Sequence, residues 1–180
     1  MLHKCARGAL MLVGLASLLG LAAGCGGDRT SVYPETGGNV AAIENLPGAA
    51  KEVLRQVNRY RARNGRSSLS SDSSLNGAAD VHSLAMASGT VPLGHHEFER
   101  RQEQMREQMD SITAMAENVG LINGQGMNNL QIAQEFVRLW SGSARHNANM
   151  LGDYMITGVG VARTGDGKIY VTQVFAKLGP

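Results

Sequence analysis

Apolar residues recur with the period of an α-helix over much of this chain and with the pattern of β-strands near its end. Helical spacing marks three segments, residues 47–65, 73–88 and 130–140. Pro47 suits the first turn of a helix, and Asp72 is among the N-cap candidates of the second segment. The predicted buried positions of the first two helices are Val53, Leu54, Val57 and Tyr60, then Leu75, Ala78, Ala79, His82, Ala85 and Met86. We therefore predict three main helices, with His82 as a packed, hydrogen-bonded histidine of the core.

A β-hairpin is predicted at the end of the chain. Residues 156–162 and 168–177 alternate or run apolar as strands do, and the Thr-Gly-Asp-Gly sequence at 164–167 is a turn signal. The remaining segments are predicted as a charged helix, a short ordered connection and a loop, at residues 97–109, 111–116 and 120–129. Helices that precede an antiparallel hairpin favour an α+β fold over a doubly wound sheet.

The N-terminal segment has the features of a bacterial lipoprotein signal. Lys4 and Arg7 precede an uncharged apolar run over residues 8–23, and Cys25 follows small residues. Cys25 is predicted to carry acyl chains such as palmitate and to anchor the protein to a membrane. A plain signal peptide or a membrane anchor is the alternative. The chain then divides into a signal peptide, a tether that begins with the lipidated cysteine, and a folded domain, at residues 1–24, 25–46 and 47–180.

Charge and cysteine content narrow the function classes. The chain has 17 basic and 15 acidic residues, and loss of Lys4 and Arg7 with the signal leaves 17 − 2 = 15 basic residues. This balance argues against non-specific nucleic-acid binding. Cys5 would also leave, so Cys25 would be the only cysteine and no intrachain disulfide is expected. A run of arginines predicts a solvated helix face and helix end: Arg55, Arg59, Arg61, Arg63 and Arg66.

Three residues have side chains and positions suited to chemistry. His95, Glu117 and His146 stand in predicted loops or at the edges of predicted elements, where a rigid scaffold tends to place functional groups. His146 falls in a polar loop between the third main helix and the hairpin. Two imidazoles and a carboxylate can bind a divalent metal such as zinc, or they can form a hydrogen-bonded patch that holds the head group of a ligand.

The sequence around these residues resembles the CAP superfamily, which comprises cysteine-rich secretory proteins, antigen 5 and pathogenesis-related 1 and is also called the SCP domain. Gly94-His95 followed by Phe98-Glu99-Arg100 resembles its G-H-x-x-F-x-x-R motif, and Ala116-Glu117-Asn118-Val119 resembles its G-E-N-[LIV] motif. The bacterial patterns W-x-x-S-x-x-H-R-x-N-I-L, G-V-G-V-A and W-T-Q-V-F are matched at Trp140, Ser143, His146, Asn149, Met150 and Leu151, at residues 158–162 and at residues 171–175. The resemblance implies a three-layer α-β-α sandwich with an antiparallel sheet. It also implies a cleft lined by His95, Glu117 and His146, with His95 preferred to the adjacent His96 by the motif.

The chain departs from the family's full set of histidines and glutamates. Eukaryotic relatives carry a second glutamate two residues after the helix tryptophan, where this chain has Gly142. They also carry a histidine on the last strand, at a site that corresponds here to Tyr170 or Val171. Glu135 and Asp153 are the remaining candidate acids.

Two functions follow from the resemblance. The first is a bacterial envelope lipoprotein that faces outside the cytoplasm, at the outer membrane or in the periplasm if the cell is Gram-negative. Its domain would be a non-catalytic binding module whose cleft takes a small amphipathic ligand, an envelope polymer or another protein. The alternative is a metal-dependent hydrolase of the cell envelope, with His95, Glu117 and His146 as metal ligands or base.

Overall fold

The structure is a computed structural model, and it describes residues 42–180. Five helices are present in this range: α1 (Pro47–Arg63), α2 (Ser73–Ala87), α3 (Phe98–Gln108), α4 (Asn129–Ser141) and α5 (Ala144–Met150). The strands are β1 (Glu44–Asn45), β2 (Ser70–Ser71), β3 (Ile112–Asn123), β4 (Ile156–Arg163) and β5 (Lys168–Leu178). None of the described helices has the length and apolar character needed to cross a bilayer. The predicted signal peptide and Cys25 lie outside the described residues.

The strands form one sheet in which the predicted hairpin is confirmed. The order is β1-β4-β5-β3, and β2 pairs in parallel with the start of β4. The β4–β5 and β3–β5 pairs are antiparallel, with Glu117 of β3 opposite Val174 and Asn118 opposite Gln173. In the described part of the chain, β3 is therefore an edge strand. β1 pairs with β4 and Leu46 is buried, so the sheet begins just before α1.

Helices cover both faces of the sheet, which confirms the predicted three-layer α+β sandwich. α1, α4 and α5 share one core with strand residues such as Val171 and Phe175. α2 and α3 share a second core with Val174 and Ala176. Because successive side chains of a strand point to opposite faces, these four residues of β5 alternate between the two cores. The three main helices that the apolar spacing predicted are α1, α2 and α4.

Two glycines let α2 lie unusually close to the sheet. A Cβ at Gly158 would stand 2.0 Å from the backbone of Leu75, and one at Gly160 would stand 2.3 Å from the backbone of Ala79. The short approach is fixed by Ser83, whose Oγ lies 2.9 Å from the Gly160 carbonyl oxygen and 2.9 Å from Thr172 Oγ1. This close packing of α2 also keeps the segment that follows α2, which carries His95, over the same face of the sheet.

Two sequence-based assignments of local structure were wrong. Residues 111–116 and 120–129 were predicted as a connection and a loop, whereas a single strand, β3, spans Ile112–Asn123. Its glycine at 120 sits against Phe136, where a Cβ would come within 2.9 Å of the ring. The pairing with β5 and this packing outweigh the low strand propensity of Gly and Asn. The segment around His146 was predicted as a loop but is the short helix α5.

The arginine run was predicted correctly except at one position. Arg55, Arg59, Arg63 and Arg66 are exposed, as expected for a solvated face. Arg61 is only 2% exposed, because its guanidinium turns inward. It donates to the carbonyl oxygens of Ser67 at 2.8 Å, Met150 at 2.6 Å and Gly152 at 3.0 Å.

Candidate functional site

A buried carboxylate forms the centre of the candidate site. β3 directs Glu117 to the face of the sheet covered by α2 and α3, and its side chain is 0% exposed. Arg101 of α3 donates from Nη1 to Oε2 at 2.6 Å and from Nη2 to Oε1 at 3.1 Å. This is a bidentate ion pair, the strongest pairing geometry available to a carboxylate in proteins. Burial makes the pair interdependent, since either charge alone would be costly there.

His95 completes the centre and faces solvent. Its Nδ1 lies 3.0 Å from Glu117 Oε1, and its side chain is 42% exposed. A carboxylate paired with arginine can only accept, so Nδ1 carries the proton and Nε2 is the ring nitrogen left for other partners. Phe98 supports both neighbours, with its ring 6.5 Å from the His95 ring and 5.3 Å from the guanidinium carbon of Arg101.

His82 holds the turn that presents His95. It is 4% exposed, and its Nε2 donates to the carbonyl oxygen of Gly94 at 2.8 Å. Gly94 has a φ of 146°, a left-handed value that glycine adopts without strain. Burial lowers the pKa of His82; the hydrogen bond to the Gly94 carbonyl oxygen opposes this shift, and the positive charge of Arg101 adds to it. The prediction of a packed, hydrogen-bonded core histidine is confirmed, and the residue also positions the site.

His146 also lies beside the edge strand β3, but the group that contacts this strand is its backbone carbonyl oxygen. Asn118 Nδ2 donates to the His146 carbonyl oxygen at 3.1 Å. Asn149 Nδ2 donates to the Glu117 carbonyl oxygen at 3.1 Å and to Asn118 Oδ1 at 2.9 Å, which ties α5 to β3. Burial lowers the pKa of His146, and the charge of His95 contributes next. Among the three predicted residues, the one side-chain hydrogen bond joins His95 to Glu117.

The donor set does not fit a metal in this arrangement. Within residues 42–180, no three His, Cys, Asp or Glu residues are placed so that they could hold an ion together. Both carboxylate oxygens of Glu117 already accept hydrogen bonds from Arg101, and Oε1 also accepts from His95, so a zinc ion would have to compete with these bonds. The two other candidate acids lie on the surface in ion pairs of their own, Glu135 with Arg138 and Asp153 with Lys177.

The residue that sequence reasoning missed is Arg101. The residues matched to the motif G-H-x-x-F-x-x-R end at Arg100, and this arginine pairs with Glu97 on the surface. Counted from Gly94, the spacing of the motif places its arginine at 101. The motif alone would thus have identified the partner of Glu117. Asn118 and Asn149 were matched to family patterns without a role, and the structure shows that they join β3 to α5.

The fold and the site together define the class of protein. The three-layer α-β-α sandwich is the fold that the CAP resemblance implied, and it brings His95 and Glu117 of the two matched motifs into contact. The sequence profile described as "CAP: Cysteine-rich secretory protein family" matches residues 54–175, more than half of the chain. The chain belongs to the CAP family.

Solved structures share the fold at low sequence identity. An outer surface protein from Borrelia burgdorferi matches with a TM-score of 0.62 and 15% identity, over 76% of this chain and 99% of that one. A cysteine-rich secretory protein from Staphylococcus aureus matches with a TM-score of 0.55 and 20% identity, over 73% of this chain but 38% of that one. An extracellular SCP-domain protein from Bacillus anthracis matches with a TM-score of 0.55 and 21% identity, over 73% and 41%. No curated protein sequence matches the chain.

Proposed function

We propose that this chain is a lipid-anchored CAP protein that faces outside the cytoplasm and binds a ligand through His95 without catalysing a reaction on it. The observation that carries the proposal is the difference in exposure between the two residues of the centre, Glu117 and His95. Glu117 is buried with both oxygens bonded to Arg101, whereas His95 is held by Glu117 and exposes its ring to solvent. The centre is therefore built to present one imidazole in a fixed orientation.

A presented imidazole is suited to binding a polar head group. Neutral His95 offers Nε2 as an acceptor, and protonated His95 offers it as a donor with a positive charge. The neutral form can accept from a hydroxyl, and the protonated form can donate to a carboxylate or phosphate, at the polar end of a small amphipathic ligand, an envelope polymer or a protein. Among the described residues, no serine or threonine hydroxyl is hydrogen-bonded to His95, so the arrangement resembles a catalytic triad that lacks its nucleophile.

Binding is tested on the chain from residue 25 onward, with Cys25→Ser so that no acyl chain is attached. The probes are palmitate, as an amphipathic ligand, and a soluble muropeptide, as a fragment of envelope polymer. We expect one of them to bind, and His95→Ala to weaken that binding about tenfold, since a hydrogen bond to a charged or ordered group is lost. His96→Ala is the control, because His96 is adjacent, exposed and outside the centre. Binding that His95→Ala leaves unchanged would contradict the proposal.

The metal-dependent hydrolase remains the alternative, and it makes an opposite prediction for zinc. It requires Arg101 to leave Glu117 and the His146 ring to turn toward His95. We expect calorimetric titration with zinc alone to give the same affinity for the wild-type chain, His95→Ala and His146→Ala. A zinc affinity that falls by an order of magnitude or more in both variants would favour the hydrolase instead.

The anchor is tested separately in cells. Cys25→Ala is expected to shift the protein from the membrane fraction to the soluble fraction, because several acyl chains on one residue give stable anchoring and their loss removes it. The support for this site is the apolar run over residues 8–23 with small residues before Cys25. Ser31→Ala serves as a matched control within the same segment. A variant that stays in the membrane would show that residues 8–23 are themselves the anchor.

A further inference from the structure

The exposed face of α1 carries a stripe of positive charge that the fold does not need. Lys51, Arg55, Arg59 and Arg63 follow one another at intervals of four residues and are all exposed. Residues four apart lie on the same side of a helix, so these four cations are neighbours. Like charges at this spacing destabilise a helix by a few tenths of a kcal/mol per pair. Burial of the opposite face explains the helix, but it does not explain the stripe.

Part of this charge has no acidic partner. Glu52, the single acid of α1, is bonded to Arg55 at 2.8 and 2.6 Å. In the range that the structure covers, no carboxylate lies within salt-bridge distance of Arg59 or Arg63. Within residues 42–180, the two arginines therefore lie on adjacent turns without an ion-pair partner. Their guanidinium groups are the candidate donors for a ligand.

These arginines line a groove between α1 and α4. Its volume is about 310 Å³, and its walls include Gln56, Arg59, Tyr60, Arg63, Gln134 and Arg138. No acidic side chain of residues 42–180 is among its walls. Glu135 bonds the Nε and Nη2 of Arg138, which leaves Nη1 of that guanidinium for the groove. The Tyr60 hydroxyl donates to Asn147 Oδ1 at 2.8 Å and can still accept.

We propose that this groove binds the phosphate group of a phosphate ester. Guanidinium groups pair with phosphate oxygens in a bidentate manner, and the walls of the groove supply them from two turns of α1 and from α4. This suits a tetrahedral phosphate, whose non-bridging oxygens point in different directions, better than a planar carboxylate. The phosphate is that of a soluble ester or of a phospholipid head group, which share this chemistry. The groove lies on the α1 and α4 face, across the sheet from Glu117, so it is independent of the His95 centre.

The test uses the chain from residue 25 onward with Cys25→Ser, so that no acyl chain drives membrane binding. Glycerol 3-phosphate is titrated by calorimetry, and vesicles of phosphatidylglycerol are compared with vesicles of phosphatidylcholine by co-sedimentation. We expect Arg59→Gln with Arg63→Gln to weaken binding of the phosphate probe at least about tenfold, since two charge-assisted pairs are lost. We also expect wild-type binding to weaken as salt is raised, because the site is exposed.

A second double variant separates a site from mere net charge. Arg66→Gln with Arg106→Gln removes the same charge from exposed positions outside the groove, and it is expected to retain binding. Binding of the soluble ester identifies a small phosphate ligand, and binding of phosphatidylglycerol vesicles alone identifies a lipid head group; both support the groove. Equal losses in the two double variants, or no binding of either probe by the wild type, would overturn it. Arg138→Gln tests the opposite wall and is expected to weaken binding in the same direction.

Discussion

Replacing Arg101 with methionine is expected to lower the free energy of unfolding by about 3–5 kcal/mol, the cost of leaving a buried charge without its partner. Glu117 is 0% exposed, and Arg101 supplies two of the hydrogen bonds that satisfy its carboxylate. Methionine keeps the apolar stem of the side chain but removes both bonds to Glu117, together with the longer bonds from the guanidinium to the His96 carbonyl oxygen. Denaturant unfolding at neutral pH measures the loss, with the fluorescence of the single, buried Trp140 as the signal.

A double-mutant cycle distinguishes the isolated charge from lost packing. Glu117→Gln combined with Arg101→Met removes both charges, so the pair of changes is expected to cost less than the sum of the single variants. Arg100→Met is the control, because Arg100 forms only a surface pair with Glu97 and is expected to contribute about 0–1 kcal/mol. If Arg101→Met costs no more than Arg100→Met, water reaches Glu117 and the description of a buried centre is wrong.

The Glu117–Arg101 pair shows which features of the site can be predicted from the sequence alone. Glu117 and His95 could be identified from short motifs, because each motif sits beside a local signal such as a glycine or an aromatic residue. The helices and the hairpin were equally accessible, since their apolar periods are local properties of the chain. Arg101 also lay within reach of its motif, three residues after Phe98. The motif does not show that Glu117 is buried, and it is this burial that makes the loss of Arg101 costly.

Strand β3 was missed for a different reason. Its sequence includes Asn118, Gly120 and Asn123, which favour turns in isolation. Each of the first two is explained only by a partner far along the chain: Asn118 bonds α5, and Gly120 makes room for Phe136 of α4. Such contacts exist only in the folded chain, where the strand is paired with β5. Local propensity therefore predicts a loop where tertiary packing produces the strand that carries Glu117.

Arg61 is the position where the charge pattern was least informative. Four of the five arginines in its segment are exposed, and nothing in the spacing distinguishes the fifth from the others. The distinction comes from the carbonyl groups that α5 and the following turn bring to it. Met150 is the last residue of α5, so its carbonyl oxygen has no partner within the helix. A guanidinium carries five donors spread over a planar fork, so it can satisfy oxygens that lie apart from one another, whereas the three donors of a lysine share a single nitrogen.

Replacing Arg61 with methionine is therefore expected to lower the free energy of unfolding by about 3–5 kcal/mol, since several bonds from a charged donor are lost and the buried carbonyl oxygen of Met150 is left unsatisfied. The affected oxygens belong to Ser67, Met150 and Gly152. Arg61→Lys is expected to recover only part of this loss. Arg63→Met, two residues further along and exposed, should change the stability by less than about 0.5 kcal/mol.

Hydrogen exchange locates the effect as well as its size. If Arg61 fastens the end of α5, amides in residues 150–155 should lose protection in Arg61→Met before the sheet does, because local opening then costs less than global unfolding. Because α5 is also bonded to β3 through Asn149, the amides around His146 should lose protection as well. The amides around the Glu117–Arg101 pair, on the other face, should keep theirs. A uniform loss across both cores would instead mean that Arg61 supports the whole fold, and that α5 has no separate stability.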